Sequence, residues 1–202
     1  MRRPHGEELH TGPKPFCRHP ERWTAYDGQS AEIEVSEFIS AIIRVVQPDV
    51  CFEAGTCFGR TAAVIGEALR SNGHGHLYTV EPLPDRVEIA RERCLGLPVT
   101  IIEGYSEDWT PEGIVDFVFF DGLFEGRVSE YRRLRPYFDE SSVLVFHDTA
   151  PHKDQYLREI EGELNAIRLH TPRGLTVCQI AQPITSRYRR AQSAIEPYEE
   201  DE

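Results

Sequence analysis

No stretch of this chain approaches the roughly 18 to 20 consecutive apolar residues of a membrane-spanning helix, and its N-terminus lacks the apolar core of a secretory signal. The expectation is a soluble, cytoplasmic protein with no membrane partner. Its five cysteines, Cys17, Cys51, Cys57, Cys94 and Cys178, include no C-x-x-C pair and are odd in number. That argues against a zinc knuckle and against a complete disulfide framework. Basic residues are scarce, 22 against 34 acidic ones, for a formal net charge of −12. Nucleic acid is bound largely through Lys and Arg, so it is not an expected partner. The basic cluster Arg187, Arg189 and Arg190 lies in a polar tail that turns acidic at Glu199-Glu200-Asp201-Glu202, which reads as a solvated tail. Internal repeats are missing, and so is the G-x-G-x-x-G fingerprint of nicotinamide-binding folds.

What the chain has is enough apolar content, 40% of 202 residues, for one domain with a core on two faces. The expected division is an irregular N-terminal arm over 1–29, a folded domain over 30–182 and a polar, disordered tail over 183–202. Val35, Phe38, Ile39, Ile42 and Val46 recur at helical spacing within 30–47, and Pro48 supplies the stop. Five short apolar runs follow, at 50–53, 77–81, 99–103, 115–120 and 143–146. Helix-compatible segments separate most of them, at 61–70, 85–95 and 127–138, and another follows the fifth at 152–165. Such alternation predicts a mostly parallel sheet covered on both faces. Near the end, 166–170 and 175–180 flank Thr171-Pro-Arg-Gly174 and read as an antiparallel hairpin.

In a parallel sheet, ligands sit outside the carboxyl ends of the strands. Every predicted strand end here carries an acid: Glu53, Glu81, Glu103, Asp121 and Asp148, the last preceded by His147. Carboxylates crowded on one rim repel one another unless a ligand, a metal or hydrogen-bond donors offset the charge. The first strand opens through Glu53-Ala-Gly-Thr-Cys-Phe-Gly59 into a helix, a strand-turn-helix arrangement suited to a small polar ligand. Glu53, Gly55, Thr56 and Gly59 are therefore candidate binding residues. Glu81 stands where an acid accepts both hydroxyl protons of a ribose, and it also suits the role of a cap for the following helix. Ser106, in Gly-Tyr-Ser, is placed to meet an adenine edge or to close a local turn.

Four segments in this order, Glu53-Ala-Gly-Thr-Cys-Phe-Gly59, Tyr78-Thr-Val-Glu-Pro82, Asp116-Phe-Val-Phe-Phe-Asp-Gly122 and Val145-Phe-His-Asp148, resemble the class I S-adenosylmethionine-dependent methyltransferases. The likeness spans about residues 30–180 and is strongest toward the small-molecule O-methyltransferases, the branch of catechol-type and natural-product tailoring enzymes. It implies a Rossmann-like methyltransferase fold, a mostly parallel seven-stranded sheet with a C-terminal antiparallel hairpin. It also implies S-adenosyl-L-methionine as cofactor, held by Gly55, Gly59 and Glu81 with Gln29 and Ser30 contributing from the segment before the first helix. Many members of the branch bind Mg²⁺ through acids after the fourth and fifth strands, which the resemblance places at Asp121, His147 and Asp148. These three are the candidate metal ligands and catalytic residues, with Asp121 also bordering the cofactor. Hard cations prefer oxygen, so the two aspartates suit Mg²⁺ better than His147 does.

Related sequences often carry an Asp-His pair directly after the Asp-Gly of the fourth strand, where this chain has Leu123-Phe124. Three readings of His147 and Asp148 therefore stand side by side: a metal site, a metal-free general base, and a structural pair. Trp23, Tyr26, Tyr105, Trp109 and Phe124 are candidates for an apolar acceptor pocket or for core packing. The arm histidines His5, His10 and His19 read as solvated, and the arm with the apolar first helix suggests a homodimer. The expected reaction is methyl transfer to a hydroxyl of a small-molecule acceptor. The alternatives are a nicotinamide-dependent oxidoreductase and a binding scaffold without turnover.

Overall fold

A computed structural model of the chain describes residues 16–151 and 154–181. The tail over 183–202, most of the arm with His5 and His10, and the expected helix start at His152 lie outside the described residues. The element order is α1 (Ile33–Val46), β1 (Val50–Ala54), α2 (Arg60–Asn72), β2 (His76–Glu81), α3 (Pro84–Arg93), β3 (Val99–Glu103), β4 (Phe117–Phe120), α4 (Arg127–Leu134), β5 (Val143–His147), β6 (Leu164–Leu169) and β7 (Leu175–Ile180). The strands form one sheet in the order β3-β2-β1-β4-β5-β7-β6. Neighbours from β3 to β5 are parallel, whereas β7 runs antiparallel to both β5 and β6.

Strand alternation divides the core between the two faces of the sheet. Phe117 and Phe119 join Cys51, Val143 and Val145 beneath α1 and α2, which contribute Val35, Ile39, Ile43, Ile65 and Leu69. Val118 and Phe120 join Phe52, Leu144 and Phe146 on the other face, closed by Tyr131 and Leu134 of α4. β4 and β5 are buried along their whole length, which explains their unbroken apolar sequence. None of the described helices is long and apolar enough to cross a membrane.

The elements depart from their expected bounds for local reasons. α1 starts at Ile33, because the Asp27 carboxylate takes the Ser30 amide and hydroxyl at 2.7 and 2.9 Å and holds that residue in a turn. α4 stops at Leu134 and tightens to a 3-10 turn over Arg135–Tyr137, since Pro136 has no amide for the next helical bond. β4 starts at Phe117: Asp116 turns its Oδ2 toward the Asp49 and Val50 amides, at 2.9 and 2.8 Å, and pins the start of β1.

The helix expected over 152–165 does not form in the described part of that span. Short 3-10 turns occupy Asp154–Glu159 and Glu161–Glu163, and β6 begins at Leu164. Gly162 weakens a helix at that point, and six residues of β6 gain a full ladder against β7 instead.

Replacing Asp116 by Ala leaves two backbone amides without their acceptor. The expected loss is about 1–3 kcal/mol, read from the urea midpoint at unchanged slope, and Asp116→Asn should lose less because it keeps one carbonyl oxygen.

Candidate active site

The turn after β1 is shaped by glycine at two positions with different causes. Gly55 has φ +97°, and a Cβ there would sit 2.8 Å from the Asp121 carbonyl oxygen, so the turn presses against the end of β4. Gly59 has φ +72° and caps α2, and its missing Cβ makes room for Ala90 of α3. The close approach at Gly59 is therefore between helices. Glu81 ties the turn to β2: one carboxylate oxygen accepts the Cys57 amide at 2.8 Å and the other the Leu83 amide at 3.1 Å. Each oxygen retains a second lone pair.

These loops wall a cavity of about 610 Å³, a size in the range of small-ligand sites. Of the predicted residues, Gly55, Glu81, Ser106, Asp121 and Gln29 line it. Glu53, Thr56, Gly59, Ser30, His147 and Asp148 lie outside the lining. Arg86 and Glu130, which sequence reasoning did not single out, are also on the wall. Oε2 of Glu130 is buried without a hydrogen-bond partner, and burial raises its carboxyl above the ordinary range.

Of the five candidate aromatics only Tyr105 lines the cavity. Trp109 is core, stacked 4.5 Å from Phe52. Trp23 packs against the core under α1 and α2, Tyr26 lies under Arg60, and Phe124 lies under Arg127.

Glu53 sits beneath the turn. Its Oε2 accepts the Thr79 hydroxyl at 2.6 Å, and Thr79 is in turn 2.5 Å from the Thr56 hydroxyl. Burial pushes its carboxyl up to about 8, with Asp121 and Glu81 adding to the rise against the Thr79 bond.

Behind the cavity lies a buried ionic network. His147 is fully buried, with Nδ1 2.8 Å from Asp121 Oδ1 and Nε2 2.7 Å from Glu32 Oε2. Burial alone would lower its pKa, but the two carboxylates outweigh that and raise it to about 9. Both ring nitrogens thus donate at neutral pH, and no lone pair is left to take a proton from an acceptor hydroxyl. Burial alone would raise Glu32, but the hydrogen bond and charge of His147 bring it below its usual range.

Asp148, at φ +58°, accepts Arg173 Nε and an Arg173 terminal nitrogen at 2.7 and 2.6 Å, one on each oxygen. Arg173 also donates to the Ser30 carbonyl at 2.9 Å and, from its backbone amide, to Glu32 at 3.2 Å. Arg127, 1% exposed, donates to the Gly122 and His147 carbonyls and stands 3.9 Å from Asp121.

Asp121, His147 and Asp148 each offer one ligand atom within 4.8 Å of the others, the spacing of a metal site. The donors do not fit one. The Asp148 oxygens carry a guanidinium and both His147 nitrogens carry carboxylates. A dication would have to displace Arg173 or sit beside it against its charge.

Sequence reasoning missed Glu32, Arg127 and Arg173. Arg173 had a usable signal: β6 must run parallel to β5 if β7 is antiparallel to both, which brings the hairpin loop to the edge holding Asp148. Glu32, 115 residues from His147, had none.

The raised Glu53 carboxyl predicts a stability slope. Its contribution is fully present below 4.5, the ordinary value kept by the unfolded chain, and is lost as pH rises through about 8. Wild-type unfolding free energy should fall by a few kcal/mol more than that of Glu53→Gln over this interval, measured by urea denaturation. Parallel pH profiles for the two proteins would show that Glu53 is ionised throughout.

A family model described as a methyltransferase domain matches residues 52–149, the span from β1 to the end of β5. Comparison with curated proteins gives no match. Among solved structures, the S-adenosylhomocysteine-bound methyltransferase PaMTH1 of Podospora anserina is 16% identical, with 76% of this chain and 81% of that one covered at a TM-score of 0.67. An O-methyltransferase of Bacillus cereus in complex with S-adenosylhomocysteine is 14% identical, covering 77% and 84% at 0.67. The O-methyltransferase TomG of Streptomyces achromogenes, in complex with S-adenosylmethionine, is 17% identical, covering 76% and 82% at 0.64. Identities this low speak to the fold, and the fold agrees: a seven-stranded sheet with its last pair antiparallel. Residues 52–149 thus match a methyltransferase domain, and the strand order is that of a Rossmann-like methyltransferase fold with an acid-rimmed cavity at its carboxyl edge.

Proposed function

We propose that this methyltransferase moves the methyl group of S-adenosylmethionine to a hydroxyl of a small molecule. The observation that carries the reading is the cavity at the carboxyl edge, with the Gly55 turn on one side and Glu81 on the other. Glu81 would accept the ribose hydroxyls with its spare lone pairs. Asp121, with Oδ1 on His147, offers its other carboxylate oxygen to the ammonium group of the methionine part. Ser106, on the cavity wall, suits the adenine end. Support also comes from the three fold neighbours, each solved with S-adenosylmethionine or S-adenosylhomocysteine, two of them called O-methyltransferases.

The chemistry asks little of the protein. The acceptor oxygen forms a bond to the methyl carbon as the carbon–sulfur bond breaks, and the electron pair goes to sulfur, which leaves as a neutral thioether. The hydroxyl proton passes to water at the cavity mouth. Catalysis is then mainly alignment of oxygen, carbon and sulfur in line.

Calorimetric titration with S-adenosylhomocysteine should give one site, and Glu81→Ala should weaken it by roughly 1–3 kcal/mol. Equal affinity in the two proteins would remove Glu81 from the ribose position. With methyl-labelled cofactor and a panel of phenols, sugars and amines, label should appear in alkali-stable ethers of hydroxylated acceptors. Label confined to amines would overturn the hydroxyl assignment.

A further inference from the structure

Two of the three groups spaced like metal ligands, His147 and Asp148, already have protein partners on both of their ligand atoms, and the pattern of pairing is informative. Arg173 meets Asp148 with two parallel hydrogen bonds, one to each oxygen, the arrangement by which a guanidinium replaces a chelated cation most closely. It reaches there from the β6–β7 hairpin loop, which is bound to the end of β5: the Thr149 amide donates to the Gly174 carbonyl at 3.1 Å and the Ala150 amide to the Arg173 carbonyl at 2.9 Å. Among the described residues, Asp148 pairs with Arg173, Asp121 lies 3.9 Å from Arg127, and His147 bridges Asp121 and Glu32. A divalent ion added here would have to sit against the Arg173 guanidinium already bonded to Asp148, at a Coulomb and desolvation cost.

We infer that the Arg173 guanidinium takes the place of the divalent cation at the ends of β4 and β5, so that this methyltransferase works without a metal ion. Arg173 is a positioning residue in this account. It neutralises Asp148 and fastens the segment before α1, through Ser30 and Glu32, to the rim of the sheet. The inference rests on the proposed methyl transfer only for its consequence in catalysis, since exclusion of the ion is read from the protein alone.

The test is Mn²⁺ binding by chelator-stripped protein, followed by the paramagnetic resonance of the free ion, with S-adenosylhomocysteine affinity measured in EDTA and in Mg²⁺. The wild type should hold no Mn²⁺ that Asp148→Asn removes, and its S-adenosylhomocysteine affinity should be equal in the two buffers. Arg173→Ala, or Arg173→Gln if the alanine variant fails to fold, should gain Mn²⁺ affinity of about tenfold or more, and Arg173→Lys should not.

Stoichiometric Mn²⁺ on the wild type that Asp148→Asn abolishes would overturn the inference. So would a folded Arg173→Gln protein with no gain. Failure of the wild type to bind S-adenosylhomocysteine in either buffer would sink the proposed function and leave the Mn²⁺ result to decide this inference by itself.

Discussion

The carboxyl edge of this sheet has to bury several carboxylates without leaving a charge uncompensated, and its architecture follows from how that is done. An unpaired ion in a protein interior costs several kcal/mol, so each buried acid needs a cation or must give up its charge. Glu32 and Asp121 share His147, and Asp148 takes Arg173. Among the described residues Glu53 has a hydroxyl for a partner and no cation, and burial drives it toward the neutral form. Because the partners come from distant parts of the chain, the pairs also decide geometry. His147 draws the start of α1 to the end of β5, and Arg173 draws in the hairpin loop from the other side.

Much of the scaffold was readable in the residues because it depends on local signals. Runs of four to six apolar residues, glycines and prolines at the breaks, and the Thr171-Pro-Arg-Gly174 loop place every strand within a few residues of its observed position. The misread segment, 152–165, failed for a physical reason. Its Leu157 and Ile160 are buried as an amphipathic helix would bury them, but Gly162 and the open edge of β7 favour two short turns and a strand. Apolar spacing of three residues does not separate an α-helix from a 3-10 turn over so short a span.

The site was legible in part. The acids at the strand ends were visible as a pattern, but the pattern could not sort those facing the cavity, Glu81 and Asp121, from those turned into the protein, Glu53 and Asp148. Nor could it supply the counter-charges. His147 and Asp148 look like catalytic or metal-binding groups until Glu32 and Arg173 are placed beside them, and those lie 115 and 25 residues away. A motif lists donors. Whether they are free is decided by contacts that the motif does not contain.

This division between exposed and committed acids bears on how the proposed sulfonium cofactor would be handled. The acids on the cavity wall, Glu81, Glu107, Asp121, Glu125 and Glu130, would favour the proposed cationic donor over its neutral thioether product, which would aid exchange after transfer. Carboxylates too near the sulfur would carry a penalty, since the positive charge disperses as the methyl group moves and the attraction would be stronger before reaction than in the transition state. Turning Asp148 toward Arg173 and keeping Glu53 protonated beneath the turn removes two such charges from the vicinity of the turn. The ionic network behind the cavity thereby moderates the field inside it. Of the wall acids, Glu81 and Asp121 lie where the proposed pose puts the ribose and the ammonium, away from the reacting carbon.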